Sequence, residues 1–240
     1  MTSYEVRLEG REDVAEGTMA FHFEKPSGFS FKPGQAIDVI LIAPPPTDAQ
    51  SARHTFSIVS ASFQGELVVA TRMRDSAFKR ALKSLSIGSP AKLEGPFGSL
   101  TLHSDSARPA VFIAGGIGVT PFMSMLQQAA KDQLAQRLLL LYSNRRPEDA
   151  AFLTKLQQLE HQNKNFRLVA TMTEMSKSNR PWDGERSVID EDLINRVRGD
   201  LSAPIYYLAG PPAMVNAVRQ TLNRAGMNDD DIRSEEFYGY

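Results

Sequence analysis

The chain has no cysteine among its 240 residues. That absence removes disulfides, thiolate zinc sites, cysteine-held iron–sulfur clusters and thiol nucleophiles together. No metal site is expected, and redox chemistry has to come from a bound cofactor. Net charge is almost missing as well: 27 Lys and Arg oppose 28 Asp and Glu, a formal charge of −1. Such a balance gives no global field for nucleic acid or an anionic membrane surface, so small molecules and proteins are the expected partners. No segment approaches the roughly 20 apolar residues of a membrane span, and "MTSYEVRLEGRED" has no apolar leader core, so a cytoplasmic protein is expected.

What is present changes rhythm near residue 104. Before it, short apolar or alternating runs such as "TMAFHFE", "AIDVILIA", "TFSIVS" and "ELVVATRM" are separated by turn formers, the pattern of an antiparallel sheet closed into a barrel. One segment, "SAFKRALKSL", has helical spacing instead, and Pro44 to Pro46 reads as a rigid loop. After the polar stretch "HSDSARP", which carries the candidate hinge, apolar strands alternate with amphipathic helices. Strands buried on both faces between helices imply a parallel sheet covered on each side. The expectation is two domains, an antiparallel barrel over 1–104 and an α/β parallel-sheet domain over 105–240.

At the head of the second half stands "FIAGGIGVTPFMSML", a strand, a glycine-rich turn and a helix. Gly116, Gly118, Thr120 and Pro121 are the candidate contacts there. Glycines let the backbone approach a phosphate, and a helix N-terminus offers free N–H groups and a positive dipole end. The third glycine of the usual dinucleotide fingerprint is replaced by Pro121, so a plain tight turn remains the competing reading. The next strand ends in "YSNRRPED", where Ser143, Arg145 and Arg146 replace the carboxylate that grips a bare ribose. Two guanidinium groups suit a 2′-phosphate, which tips the expected donor from NADH toward NADPH; two exposed arginines before a helix are the alternative.

"AGGIGVTP", "GPFGSL", "YLAGPPAMV" and the terminal "EEFYGY", in this order and spacing, resemble the ferredoxin–NADP reductase-like flavoprotein reductases over essentially the whole chain. The resemblance implies an FAD-binding barrel and an NAD(P)-binding domain. Its Arg-x-aromatic-Ser/Thr flavin motif matches "RHTFSIVS": Phe56 would flank the flavin ring and Ser57 would bond near N5, with Thr55 between the anchors. His54 falls where the family has the pyrophosphate arginine and Arg53 is displaced by one; strand alternation puts the two on opposite faces, and which one serves is open. Arg72, Ala77, Phe78 and Lys79 are placed by the resemblance near the FAD diphosphate, although a solvated helix face is the alternative for that segment. Gly210 and Pro211 would lie by the nicotinamide, with Ala209 where many relatives carry cysteine. Phe237 would cover the flavin face, Glu235 would sit near the reacting atoms and Tyr240 would help cover the ring, against the plainer reading of a final edge strand.

The implied reaction is hydride transfer from NADPH or NADH to FAD, with Ser57, Thr120, Glu235 and Phe237 at the reacting edge. Electrons then pass to a separate ferredoxin, flavodoxin or oxygenase component, from an enzyme expected to be monomeric. A free flavin or ferric-chelate reductase, and a non-catalytic flavin or nucleotide sensor, are the alternatives.

Overall fold

The structure, a computed structural model, describes residues 2–42 and 52–238. The triple proline and Tyr240 therefore lie outside the described residues. The first half is a six-stranded antiparallel sheet in the order β4-β3-β6-β1-β2-β5, formed by β1 (Ser3–Ala15), β2 (Thr18–Glu24), β3 (Ala36–Leu41), β4 (Arg53–Ser57), β5 (Glu66–Arg72) and β6 (Pro90–Phe97). Its two edges meet through an antiparallel bridge between Ile58 and Val69 and a bond from the Val59 N–H to the Val68 carbonyl at 2.7 Å. Closure removes the open edges an antiparallel sheet would expose. Inward alternation along these strands supplies a core of Leu8, Phe21, Phe23, Ile37, Val39 and Leu67. Helix α1 (Ala77–Ser84) packs Phe78 and Leu82 onto it and is capped by the Ser76 hydroxyl, which accepts from the Lys79 N–H.

The second half is a five-stranded parallel sheet in the order β11-β10-β7-β8-β9. Strands β7 (Ala110–Gly115), β8 (Leu138–Asn144) and β10 (Ile205–Gly210) are buried along nearly their whole length, because helices cover both faces; β9 (Phe166–Met172) and β11 (Ile232–Glu236) form the edges. Those helices are α2 (Thr120–Lys131), α3 (Leu153–Gln162), α4 (Glu191–Arg198) and α5 (Pro212–Arg224). Chain order reverses between β7 and β10. That is the switch point where open sheets leave a crevice at the carboxyl ends of their strands. No helix among the described residues is long and apolar enough to cross a membrane.

Two local departures from the sequence pattern have clear causes. The helix expected from Pro147 onward is split: Pro147–Asp149 form a 3₁₀ turn, Phe152 adopts left-handed backbone (φ 60°), and α3 starts only at Leu153. Tertiary bonds hold the break, since the Glu148 carbonyl accepts from the Glu16 N–H of the barrel (2.8 Å) and the Ala151 carbonyl accepts from the Tyr142 hydroxyl (3.1 Å). The candidate hinge is also tied down. His103 Nδ1 meets the Tyr207 hydroxyl at 2.8 Å, and Arg108 Nε donates to the Ala203 carbonyl at 2.8 Å.

The halves share one hydrophobic cluster, in which Ala20, Val59, Val68, Ala70 and Leu100 of the barrel join Phe112, Ile117, Phe122 and Met125. Buried bonds from α2 reinforce the seam: Ser124 donates to the Ser60 carbonyl (2.7 Å) and Gln127 Nε2 to the Val59 carbonyl (2.8 Å). Within the glycine turn, Gly118 is needed for space, because a Cβ there would overlap the Ala209 carbonyl, whereas Gly116 is needed for its φ of +54° and faces open space. Gly118→Ala should therefore cost about 3 kcal/mol by overpacking, and Gly116→Ala about 1 kcal/mol of left-handed strain. Urea unfolding followed by circular dichroism checks the order; equal costs would overturn these separate roles.

Candidate functional site

The barrel, the glycine turn and the chain's last strand converge on a cavity of about 320 Å³ between the two halves. That volume lies at the small end of the roughly 300–1,000 Å³ of small-molecule sites. Strand β4 contributes His54 to Ser57, β5 contributes Ala70 and Thr71, and α1 contributes Lys79. Ile117 and Thr120 of the turn close one side, and Glu235 to Tyr238 close another. Local structure explains each placement. Residues 54 and 56 share a face of β4, so the His54 and Phe56 rings stand 4.7 Å apart and both touch Phe78 of α1. Phe237 follows directly after β11 ends at Glu236, and its N–H donates to the Gly210 carbonyl at 3.0 Å. The edge strand and the cavity-lining Phe237 are thus successive parts of one segment.

The polar groups in this cavity are poised rather than satisfied. Ser57 Oγ is buried and has no hydrogen-bond partner, an expensive state for a hydroxyl unless a ligand completes it. Glu235 is held by backbone pairing to Ala209 on β10, and burial pushes its carboxyl above the usual carboxylate range. Thr120 is buried and its hydroxyl donates to the Ile117 carbonyl (3.0 Å), leaving the oxygen able to accept. Lys79 is buried, and no carboxylate pairs with it among the described residues; burial first and Arg74 second hold its ammonium below the usual lysine value. Burial, followed by the charge of Lys79, keeps the His54 imidazole below its ordinary value as well. Beside Lys79 lies the first turn of α1, whose Ala77 and Phe78 N–H groups have no intrahelical acceptor. A cation, an imidazole and free amides at a helix N-terminus suit a diphosphate.

The glycine turn lies where the topology reverses. Gly116 heads a 3₁₀ turn (Gly116–Val119) that runs into α2, with Pro121 in its first helical turn. Gly210 and Pro211 stand opposite, at the end of β10; a Cβ on Gly210 would lie 3.0 Å from the Gly115 nitrogen, so the two strand ends close the crevice floor by backbone contact.

Several expected contacts lie elsewhere. Arg53 turns to the other face of β4, where Nε donates to Asp38 (2.8 Å) and Nη2 to Glu94 (2.6 Å); Thr55 gives its hydroxyl proton to the same Asp38. Asp38 is a buried carboxylate on the neighbouring strand, so it captures Arg53 before any ligand can. Of the two basic candidates, only His54 reaches the cavity. Arg72 points across the seam to Asp149 (3.5 Å). Arg146 is committed to that same Asp149 through two bonds (3.0 and 2.9 Å) and to Glu16 (3.2 Å), and the Asp149 carboxylate holds its guanidinium proton more tightly than usual. Arg145 is exposed, with Glu174 at 3.4 Å, and the half-buried Ser143 lies two residues before it at the end of β8. Sequence reading missed Ala70, Thr71, Ile117, Glu236 and Tyr238 as lining residues. The first two line the cavity because β5 closes against the end of β4, a pairing register that their own residue types do not signal.

Comparison with known proteins agrees with this layout. Residues 112–220 match the oxidoreductase NAD-binding domain family. The chain is 28% identical over 217 residues to the reductase component of propane 2-monooxygenase from Rhodococcus jostii (strain RHA1), covering 89% of this chain and 57% of that protein. It is 28% identical over 228 residues to ferredoxin–NADP reductase B of Sorangium cellulosum (strain So ce56), covering 90% of each. The chain spans 57%, 61% and 60% of the first three oxygenase reductases it matches. In three dimensions it resembles a ferredoxin NADP⁺ reductase from Neisseria gonorrhoeae, solved with bound FAD and NADP, at a TM-score of 0.80 and 20% identity over 98% of both chains. At that identity the likeness speaks for the fold.

The depressed His54 has a measurable consequence. In the unfolded chain the imidazole titrates near 6.5 and in the folded chain lower, so between those points the unfolded state holds more protons and stability rises with pH. Wild type should gain stability relative to His54→Gln as pH climbs toward about 6.5 and run parallel to it above. Parallel profiles throughout, in urea unfolding at stepped pH, would show that His54 is not buried in this way.

Proposed function

We propose that the chain is a member of the ferredoxin–NADP reductase-like flavoprotein reductases, an FAD-dependent NAD(P)H reductase delivering electrons to a separate acceptor such as a ferredoxin, flavodoxin or oxygenase component. The observation that carries this reading is the orphaned Ser57 hydroxyl in an aromatic-walled cavity that the barrel and the glycine turn build together. Bound FAD would accept hydride from nicotinamide C4 and release the electrons singly. The protein's own task is alignment and exclusion of water.

In this reading residues 1–104 serve the flavin and 105–240 the nicotinamide nucleotide. Phe56 supports one face of the ring and Phe237 covers the other, while Ser57 offers its hydroxyl to the N5 edge and Thr120 its oxygen nearby. Glu235, whose carboxyl burial pushes above the usual range, stands at that edge as a group able to hold a proton. Lys79, His54 and the α1 amides take the diphosphate. Gly116 and the Gly210–Pro211 corner receive the nucleotide's own diphosphate and nicotinamide end. Arg145, with Ser143, is left to meet a 2′-phosphate, because Arg146 belongs to the seam. Where the family has an arginine, a neutral imidazole is a weaker anchor; this favours a second reading, a reductase that holds FAD loosely as a substrate. Retention of FAD through gel filtration decides against it.

Rapid mixing of FAD-loaded protein with NADPH or NADH tests the proposal. Loss of flavin absorbance within seconds is expected, and an unchanged spectrum with both donors overturns it. Phe237→Ser should ease nicotinamide access and shift the kcat/KM ratio toward NADH; unchanged kinetics would remove Phe237 from the ring face. Arg145→Ala should raise the NADPH KM about tenfold and leave the NADH KM near its starting value. Equal rises would remove Arg145 from the 2′-phosphate.

A further inference from the structure

At the amino ends of the parallel strands, away from the crevice at their carboxyl ends, lies a second cavity, of about 340 Å³, among the start of β8, the turn into β9 and the end of α4. Four cations line it, Arg137, Lys164, Arg167 and Arg198, against one carboxylate, Asp200. Asp200 is already taken by Arg137, at 2.9 Å. Lys164, Arg167 and Arg198 have no ion-pair partner among the described residues, although Arg167 reaches the Val197 carbonyl at 3.5 Å. Arg198 lies close enough to the buried Tyr206 for its charge to act on the tyrosine hydroxyl. Its Nε is nevertheless buried with no acceptor.

A surface with three uncompensated cations around one hollow is not explained by helix electrostatics alone. Arg196 and Arg198 both occupy the last turn of α4, where the dipole favours cations, and Arg196 is neutralised by Glu185 at 2.8 Å. Lys164 and Arg167 arrive from a different element, and like charges drawn to one place repel unless an anion joins them. The floor, formed by Leu138, Leu139, Val197 and Leu201, is buried and apolar, which lowers the local dielectric and strengthens attraction for an anion.

We propose that this cavity is a binding site for a compact polyanion of the phosphate class, separate from the nucleotide crevice. The Arg198 fork and the Lys164 and Arg167 heads take its oxygens. The proposal does not depend on the flavin reading.

Inorganic pyrophosphate is the probe, added to full-length FAD-loaded protein carrying labelled leucine, valine and isoleucine methyl groups. Saturable shifts are expected at Leu139, Val197 and Leu201, with affinity reduced about tenfold or more in Lys164→Gln/Arg167→Gln and restored in part by Lys164→Arg/Arg167→Lys. These exposed positions can change without disturbing the fold, whereas Arg198→Ala risks the Tyr206 packing. Shifts confined to Ile117, beside the glycine turn, would mean that the anion binds only in the nucleotide crevice and would overturn the proposal. Absence of saturation, or an affinity unchanged in the double variant, would overturn it too.

Discussion

Everything about the site depends on α2 being fastened to the barrel. The helix that follows the glycine turn carries Phe122 and Met125 into a cluster shared with Val59, Val68 and Ala70, and Ser124 and Gln127 bond the carbonyls of Ser60 and Val59. Those carbonyls lie just beyond β4, the strand that presents Phe56 and Ser57. One rigid joint therefore fixes the distance between the β4 residues and the glycine turn, which in the proposed reading serve the two rings. Chemistry that consists of holding two planar groups in contact needs little more than such a joint.

A second set of contacts runs along the seam on the far side of β8. Arg72, Arg146, Asp149 and Glu16 form a charged chain between the halves, and the Glu16–Glu148 backbone bond runs beside it. Asp149 is nearly buried, and the Arg146 guanidinium holds its carboxyl below the usual range, so this part of the chain is stronger than an exposed pair. It also engages Arg146, one of two adjacent arginines after β8, and leaves Arg145 exposed beside it.

The architecture was legible in the sequence to a large degree. Strand alternation up to Leu102 and the strand–helix rhythm after it reported the two sheets, because burial on one face or on both leaves its own periodicity. Alternation also separated Arg53 from His54 correctly. It did not say which faced the ligand, because that depends on Asp38, a partner contributed by strand register. The pairing of Arg72 and Arg146 was hidden for the same reason: their carboxylate, Asp149, lies within four residues of Arg146 but is turned toward it by a 3₁₀ break that local propensity does not encode. The lining residues Ala70 and Thr71 are small and unremarkable in sequence, and only barrel closure gives them a role.

In the proposed reading an isoalloxazine ring fits between Phe56 and Phe237 with its reactive edge at Ser57. A crystal structure of the protein with FAD measures this directly. The ring is expected in the inter-half cavity, with the Ser57 hydroxyl bonded to its N5 edge and the diphosphate on Lys79 and the start of α1. Flavin density outside that cavity, or a diphosphate held by Arg53 on the opposite face of β4, would contradict it.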